Sequence, residues 1–553
     1  MKTSWRLWAP VALAVVSGAV FLNALGGQFV WDDRALIVDN PAIRAWANLP
    51  GFFTHSFVAS FGAGAAAGQH ESYRPLVSVT LLLDYKLWGL SPFGWHLTNL
   101  LMHVAATLAV YWTLLALWPA SPIALLGGLL FGLHPVHSEA VAFVANRPEL
   151  VCGFFFVLSA GAFIRFRKGG RSGWLAAALL LFAASLLSKE TALVLPLALL
   201  AYDLTFWSNS HRRARYWWPY AAMIGVVAAY LGARAAALGF LGTGLPSGEL
   251  FLLRLMTAPK VVLYYLQILV SPRDSKLWID PPLVRGPGQI AFWGGAIVLI
   301  GLVAGLIRLR RIWPQFHFGG WWLLLSLGPV SGLLRVAGAR VAERWLYLPS
   351  MGFAVIVAAA LGQALAAREE RWQPARKGAW ALLGVLLLCY VAFTLMRNPV
   401  WHDDLTLFRE MAAQVPSDYR IISNYGEALL AAGHSAVAAG DTSAAVEYCG
   451  EAVREFQEAT GLEPNSYKVR ANLAVALGEL AHAYALQGDM PAAIAEMEKV
   501  VRLVPDSVVD HVNLGRLYLE TADKVRALQE AETALRLEPG NSAARELRKA
   551  AGG

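Results

Sequence analysis

The run GAWALLGVLLLCYVAFTLM at residues 378–396 is nineteen residues long, carries no charge, and stands between Arg376-Lys377 and Arg397. An uncharged apolar segment of that length covers the ~30 Å hydrocarbon core of a bilayer as one helix. Similar runs lie upstream at 95–117, 122–138, 148–164, 174–188, 190–206, 217–237, 290–307, 318–334 and 345–366, with a first one from Trp8 to Leu25 behind Lys2 and Arg6. The first resembles a secretory signal, but the many later runs make an uncleaved helix the better reading. Together they predict an all-α bundle of roughly eleven spans.

Composition agrees. Over 553 residues the chain is 57% hydrophobic and 15% charged, and its mean hydropathy is +0.48. That leaves too little polar surface for a water-soluble fold of this size. The 21 tryptophans suit the two interfacial belts, where an indole buries its ring and keeps its N–H wet. The net charge of +8 gathers in short loops between apolar runs, so it sets membrane orientation and gives no sign of nucleic acid as a partner. Cys152, Cys389 and Cys449 have no paired spacing and suggest neither a disulfide framework nor a metal cluster.

Basic loops belong on the cytoplasmic side. Arg165–Arg171, Arg212–Arg215, Arg308–Arg311 and Arg368–Lys377 all fall there if the N-terminus is inside and the apolar stretch 251–271 is re-entrant or interfacial. The same count places residues 26–93 outside and delivers everything after Met396 to the periplasm or organelle lumen. The expected domains are therefore 1–397 in the membrane and an extracytoplasmic domain over 398–553.

That second domain shows a repeat. Leu462-Glu-Pro464, Leu503-Val-Pro505 and Leu537-Glu-Pro539 each close a helix pair, and the last two prolines are 34 positions apart. This is the tetratricopeptide (TPR) period, with Leu514, Gly515, Tyr518, Ala527, Ala531 and Ala534 at its packing positions. About three repeats are expected, stacked as an α-solenoid whose concave groove suits a protein ligand.

The polar residues at the outer ends of the runs form the candidate site, because charge at a span end is costly unless it works or pairs. They are Asp32 and Asp33, Arg74, His134, His137 and Glu139, Arg147 and Glu149, Lys189 and Glu190, Glu343 and Arg344, and Tyr347. Two adjacent carboxylates near a low-dielectric surface can leave one with a raised pKa, as a general base needs. A capping turn or an ion pair with Arg34 or Arg74 would explain them equally well. Arg74, Arg147, Lys189 and Arg344 could hold a phosphate; pairing with Glu139, Glu149, Glu190 and Glu343 is the alternative. His134 and His137 flank Pro135 with no strong third ligand beside them, so no metal is expected.

The order and spacing of these blocks resemble the transmembrane and tetratricopeptide-repeat-containing (TMTC) family, glycosyltransferases of the GT-C superfamily. The blocks are Phe29-Val-Trp-Asp-Asp33 with Asn40-Pro41, Ser72-Tyr-Arg-Pro-Leu76 with Pro92-Phe-Gly-Trp-His96-Leu-Thr-Asn99, and Leu133-His-Pro-Val-His-Ser-Glu-Ala-Val141 with Asn146-Arg-Pro-Glu-Leu150. Ser188-Lys-Glu190 and Val341-Ala-Glu-Arg-Trp-Leu-Tyr-Leu-Pro-Ser-Met-Gly-Phe353 complete the set. The resemblance implies a transferase that moves a sugar, typically mannose, from a polyprenyl-phosphate carrier to hydroxyls of exported proteins, inverting the anomeric carbon and needing no cofactor. It further implies a catalytic carboxylate at Asp32 or Asp33, with Asp32 favoured. Arg74, His137, Arg147, Lys189 and Arg344 would then bind substrate or carrier phosphate, and His134, Glu139, Glu149, Glu190, Glu343 and Tyr347 would support them. The TPR groove would hold the protein acceptor.

The chain departs from the better-known animal members in having so few repeats, which leaves acceptor choice open. A lipid or surface-glycan acceptor, or a non-catalytic membrane-anchored scaffold, are the competing readings. The Ala-, Gly- and Arg-rich composition with short loops suits a bacterial inner membrane, with the repeats in the periplasm.

Overall fold

The computed structural model describes residues 4–57, 72–119, 121–207, 214–240, 248–274, 276–279, 281–286, 288–333, 341–366 and 372–552. Arg212 and Arg213, residues 367–371 of the last basic stretch and residues 58–71 of the first loop lie outside them. The chain divides into two compact units, Met1–Asp403 and Asp404–Gly553. Among the described residues every element is helical apart from one antiparallel bridge between Ile279 and Val341.

Among the described residues of the first unit seven helical segments are long and apolar enough to cross a membrane: Pro92–Leu117, Val144–Gly169, Tyr216–Leu238, Glu249–Val270, Phe292–Leu309, Glu343–Leu365 and Gln373–Trp401. Other expected runs form shorter helices. The run at 122–138 helixes only over Ile123–Gly132, because Pro135 and the bonding of His134 turn the chain into a short 3-10 segment. The run at 190–206 begins as a 3-10 turn, and its α-helix occupies Leu195–Phe206. Glu249–Val270 is a continuous helix of spanning length, whereas loop charge had marked that stretch as interfacial. Helix length and loop charge point in different directions there.

The outward surface is that of a membrane protein. Ile290, Ile297, Ile300 and Ile307 recur on one face of Ile290–Leu309 and all are exposed, Ile290 by 88%. So large an apolar face is stable against lipid and unstable against water. Helices in lipid gain little from hydrophobic burial against each other, so close packing at small residues joins them. Pro314–Leu327 and Tyr347–Ala366 show it: a methyl on Gly352 would stand 2.5 Å from the Gly319 carbonyl oxygen.

The second unit is a helical solenoid. After Asp404–Gln414 come three antiparallel pairs, Tyr419–Ala438 with Thr442–Leu462, Tyr467–Gln487 with Met490–Leu503, and Val508–Glu520 with Lys524–Leu537, then Ser542–Gly552. The repeat residues lie where a shared core requires them: Ala452, Phe456 and Ala459, then Ala493, Met497 and Val500, then Ala527, Ala531 and Ala534, all buried. Helix starts are capped by side chains that accept a backbone N–H, from Ala444 to Asp441, from Ala492 to Asp489 and from Arg526 to Asp523. The residue before each cap has positive φ: Gly440 at +78°, Gly488 at +88° and Ala522 at +62°. Glycine takes that conformation freely and alanine does not. We therefore expect Ala522→Gly to stabilise the repeat unit by about 1 kcal/mol, the order of the left-handed penalty on an L-residue. Thermal unfolding of the full-length protein followed by circular dichroism checks it; an unchanged or lowered Tm would contradict it.

Candidate functional site

The polar loops of the first unit meet at one end of the bundle. The Asp33 carboxylate accepts the Ala145 N–H at 2.7 Å and the Val30 N–H at 3.2 Å. Gln28 N–H donates to the His402 carbonyl at 2.7 Å and Leu76 N–H to the Leu187 carbonyl at 3.1 Å. The Arg344 backbone N–H donates to Glu139 Oε2 at 2.9 Å. These bonds tie residues 28–34, 139–147, 341–344 and 397–402 together and join 74–76 to 187–190, and the Lys189–Glu149 pair connects the two sets.

Within it the cations and carboxylates are paired. Arg74 forks onto Glu190, with Nη2 to Oε1 at 2.9 Å and Nε to Oε2 at 3.4 Å. Lys189 pairs with Glu149, and Arg344 with Glu139. Arg397 reaches Glu343 at 2.7 Å. Arg147 reaches Asp84 at 2.6 Å, with Nε donating to Asn99 Oδ1 at 2.8 Å and Nη2 to the Trp95 carbonyl at 3.2 Å. The pairing alternative for these cations is thus realised, with Asp84 and Arg397 as partners the motif reading left out. Asp84 had a signal of its own, a lone carboxylate in the apolar stretch Leu81-Leu-Leu-Asp84.

Burial divides the cations. Arg147 and Lys189 lie inside the protein with their partners, and His137 is likewise buried, its Nε2 2.9 Å from Ser350 Oγ. These three are expected at a carrier phosphate; in the structure they stand enclosed with internal partners. His134 accepts the Val136 N–H through Nδ1 at 3.2 Å, so its Nε2 carries the proton toward the Leu269 carbonyl, 3.1 Å away. Tyr347 is buried with its hydroxyl 3.0 Å from Nδ1 of His103, a further histidine the motifs did not single out. Arg74 and Arg344 keep about a fifth of their side chains accessible, 21% and 22%. They are the expected cations that an incoming anion can reach.

The aspartate pair separates in the same way. Asp33 is fully buried; its bond from Val30 closes its own turn and its bond from Ala145 splices that turn to the 144–146 turn. Asp32 is exposed to solvent and makes no hydrogen bond or ion pair among the described residues. Protein still crowds around it, and that desolvation lifts its pKa above the ordinary aspartate value while the Arg344 charge pulls it back. A carboxylate that is hemmed in yet open to solvent, unpaired, and beside an accessible arginine has the attributes of a general base.

The repeat unit carries a groove of about 1210 Å³ along Tyr467–Gln487 and Val508–Glu520, lined in part by Tyr467, Arg470, Val475, His482, Asn513 and Arg516.

If the buried pair is structural, Asp84→Ala leaves the Arg147 guanidinium unpaired in the interior and costs about 3–5 kcal/mol. Glu190→Ala, at the partly exposed pair, costs at most about 1 kcal/mol. Melting both variants in lipid nanodiscs tests this ordering, and equal Tm losses would refute it.

No family model matches the chain. Curated relatives align over about three quarters of it. The protein O-mannosyl-transferase F38B6.6 of Caenorhabditis elegans is 28% identical over 74% of this chain and 58% of its own length. The human protein O-mannosyl-transferase TMTC1 is 27% identical over 76% and 53%, and human TMTC4 is 26% identical over 78% and 65%. The chain therefore spans somewhat over half the length of the relatives it matches. Their names are those of the family that the sequence motifs resemble. Among solved structures, the P58(IPK) TPR domain aligns at 15% identity over 71% of this chain and 97% of its own, with a TM-score of only 0.18.

Proposed function

We propose, from the chain's similarity to TMTC-family protein O-mannosyl-transferases, that it transfers mannose from a polyprenyl-phosphate carrier to serine or threonine hydroxyls of proteins. The observation that carries this reading is Asp32, the carboxylate of the constellation left exposed and unpaired among the described residues, with Arg344 near enough to shift it.

The chemistry follows from that placement. Asp32 takes the proton of the acceptor hydroxyl as its oxygen bonds to the anomeric carbon. The bond from that carbon to the carrier phosphate breaks, and its electron pair leaves on the phosphate, whose charge Arg344 and Arg74 are accessible to meet. One displacement inverts the anomeric centre. The bilayer confines the carrier to two dimensions and so raises its effective concentration at the site. The repeat groove, with a volume of about 1210 Å³, supports a protein acceptor.

A scaffold reading draws on the ion pairs, because a purely anchoring bundle would also satisfy its buried charges internally. It offers no reason for Asp32 to stand apart from that pairing.

The test is transfer by the purified full-length protein in nanodiscs, given labelled polyprenyl-phosphate mannose and an extract of exported proteins. Label is expected in protein with the native chain, and Asp32→Asn should slow it by about 10²–10⁴-fold, the range of a lost general base. Label recovered in lipid or glycan instead would shift the acceptor class, and no label from any of a panel of carriers would favour the scaffold. Since the base acts ionised and its pKa is raised, the rate should fall on acidification with a midpoint above the ordinary aspartate range. A rate flat down to the ordinary range would count against Asp32.

A further inference from the structure

Trp31, immediately before Asp32, has φ of +50°. A bulky side chain in the left-handed region is strained and persists only where its surroundings hold it. Those surroundings are aromatic. The Trp31 ring stacks on Phe143 at 6.0 Å between centroids and 9° between planes, and Phe143 stacks on Trp401 at 5.1 Å and 13°. Trp278 leans on Trp31 at 6.1 Å. Phe143 and Trp401 are both 2% exposed, so the column is fixed at its inner end.

Hydrogen bonds run parallel to it. Asp33 holds the Ala145 N–H two residues beyond Phe143, and the Gln28 N–H holds the carbonyl of His402, next to Trp401. The turn bearing Asp32 is thus clamped to residues 143–145 and 401–402 by both backbone and rings. Asp32 itself makes no hydrogen bond or ion pair among the described residues, and the strained Trp31 backbone beside it bears on its direction.

We propose that Trp401 is a positioning residue for Asp32, acting through the Phe143 and Trp31 rings, so that the segment just ahead of the repeat unit sets the direction of the base. This rests on the transferase reading above. Trp401 touches no substrate in this scheme; its contribution is geometry at the step of proton transfer, where a displacement of ~1 Å costs about 10² in rate.

The experiment measures mannose transfer in nanodiscs against carrier concentration for the full-length native protein, Trp401→Leu and Trp401→Phe. Leucine keeps an apolar filling without a ring face, and phenylalanine keeps the ring. Trp401→Leu is expected to lower kcat by about 10²-fold with the carrier KM unchanged, and Trp401→Phe to restore most of it. A native kcat in Trp401→Leu, or an equal loss in both variants, overturns the proposal. If Trp401→Leu gives no monodisperse protein, Trp31→Gly decides: glycine adopts positive φ without the stack, so a folded variant with lost kcat supports positioning and one with native kcat overturns it. A native protein that transfers nothing overturns the transferase reading and this inference with it.

Discussion

Burying charge in a low-dielectric bundle is the constraint on which the first unit depends. An isolated ion there costs several kcal/mol, so each cation must meet a carboxylate in good geometry. Arg147 shows how this organises the fold. Its guanidinium binds Asp84 from one segment, Asn99 and the Trp95 carbonyl from another, and lies 5.4 Å over the Trp95 ring. The same need joins Lys189 to Glu149, Arg344 to Glu139 and Arg397 to Glu343. Each pair spans separate stretches of chain, and together they fix loops that regular secondary structure does not reach.

Against that background an unpaired group stands out. Asp32 is a carboxylate beside these paired groups that takes no such partner among the described residues. The two neighbours Asp32 and Asp33 differ in environment: the buried one accepts two amide N–H groups and holds the turn, and the exposed one is the base of the proposed reaction. The positive φ at Trp31 belongs to the same arrangement, a local strain tolerated because stacked rings and backbone bonds oppose its release.

The repeat unit obeys different rules. Its stability is a sum over helix pairs that recur with small residues at the crossing points, aspartate or serine caps and proline after the closing turn. Each of these is local, which is why a groove can be built there from a short sequence period, with side chains such as Asn513 and Arg516 facing it.

What the sequence determined by itself were the features with local physical causes. Apolar length marked membrane helices, the 34-residue period marked the repeats down to Ala527, Ala531 and Ala534, and the motif blocks marked the polar end of the bundle. Tertiary structure decided the rest, because it turned on partners far apart in the chain. Asp32 and Asp33 are chemically alike until the Ala145 amide, 112 positions on, claims one of them. Arg147 and Arg344 are the same residue type in similar motifs, and only packing buries the first and leaves the second within reach of an anion. Asp84, Arg397 and Trp401 lie outside the motif blocks, and their partners Arg147, Glu343 and Phe143 are found only where the fold brings them together.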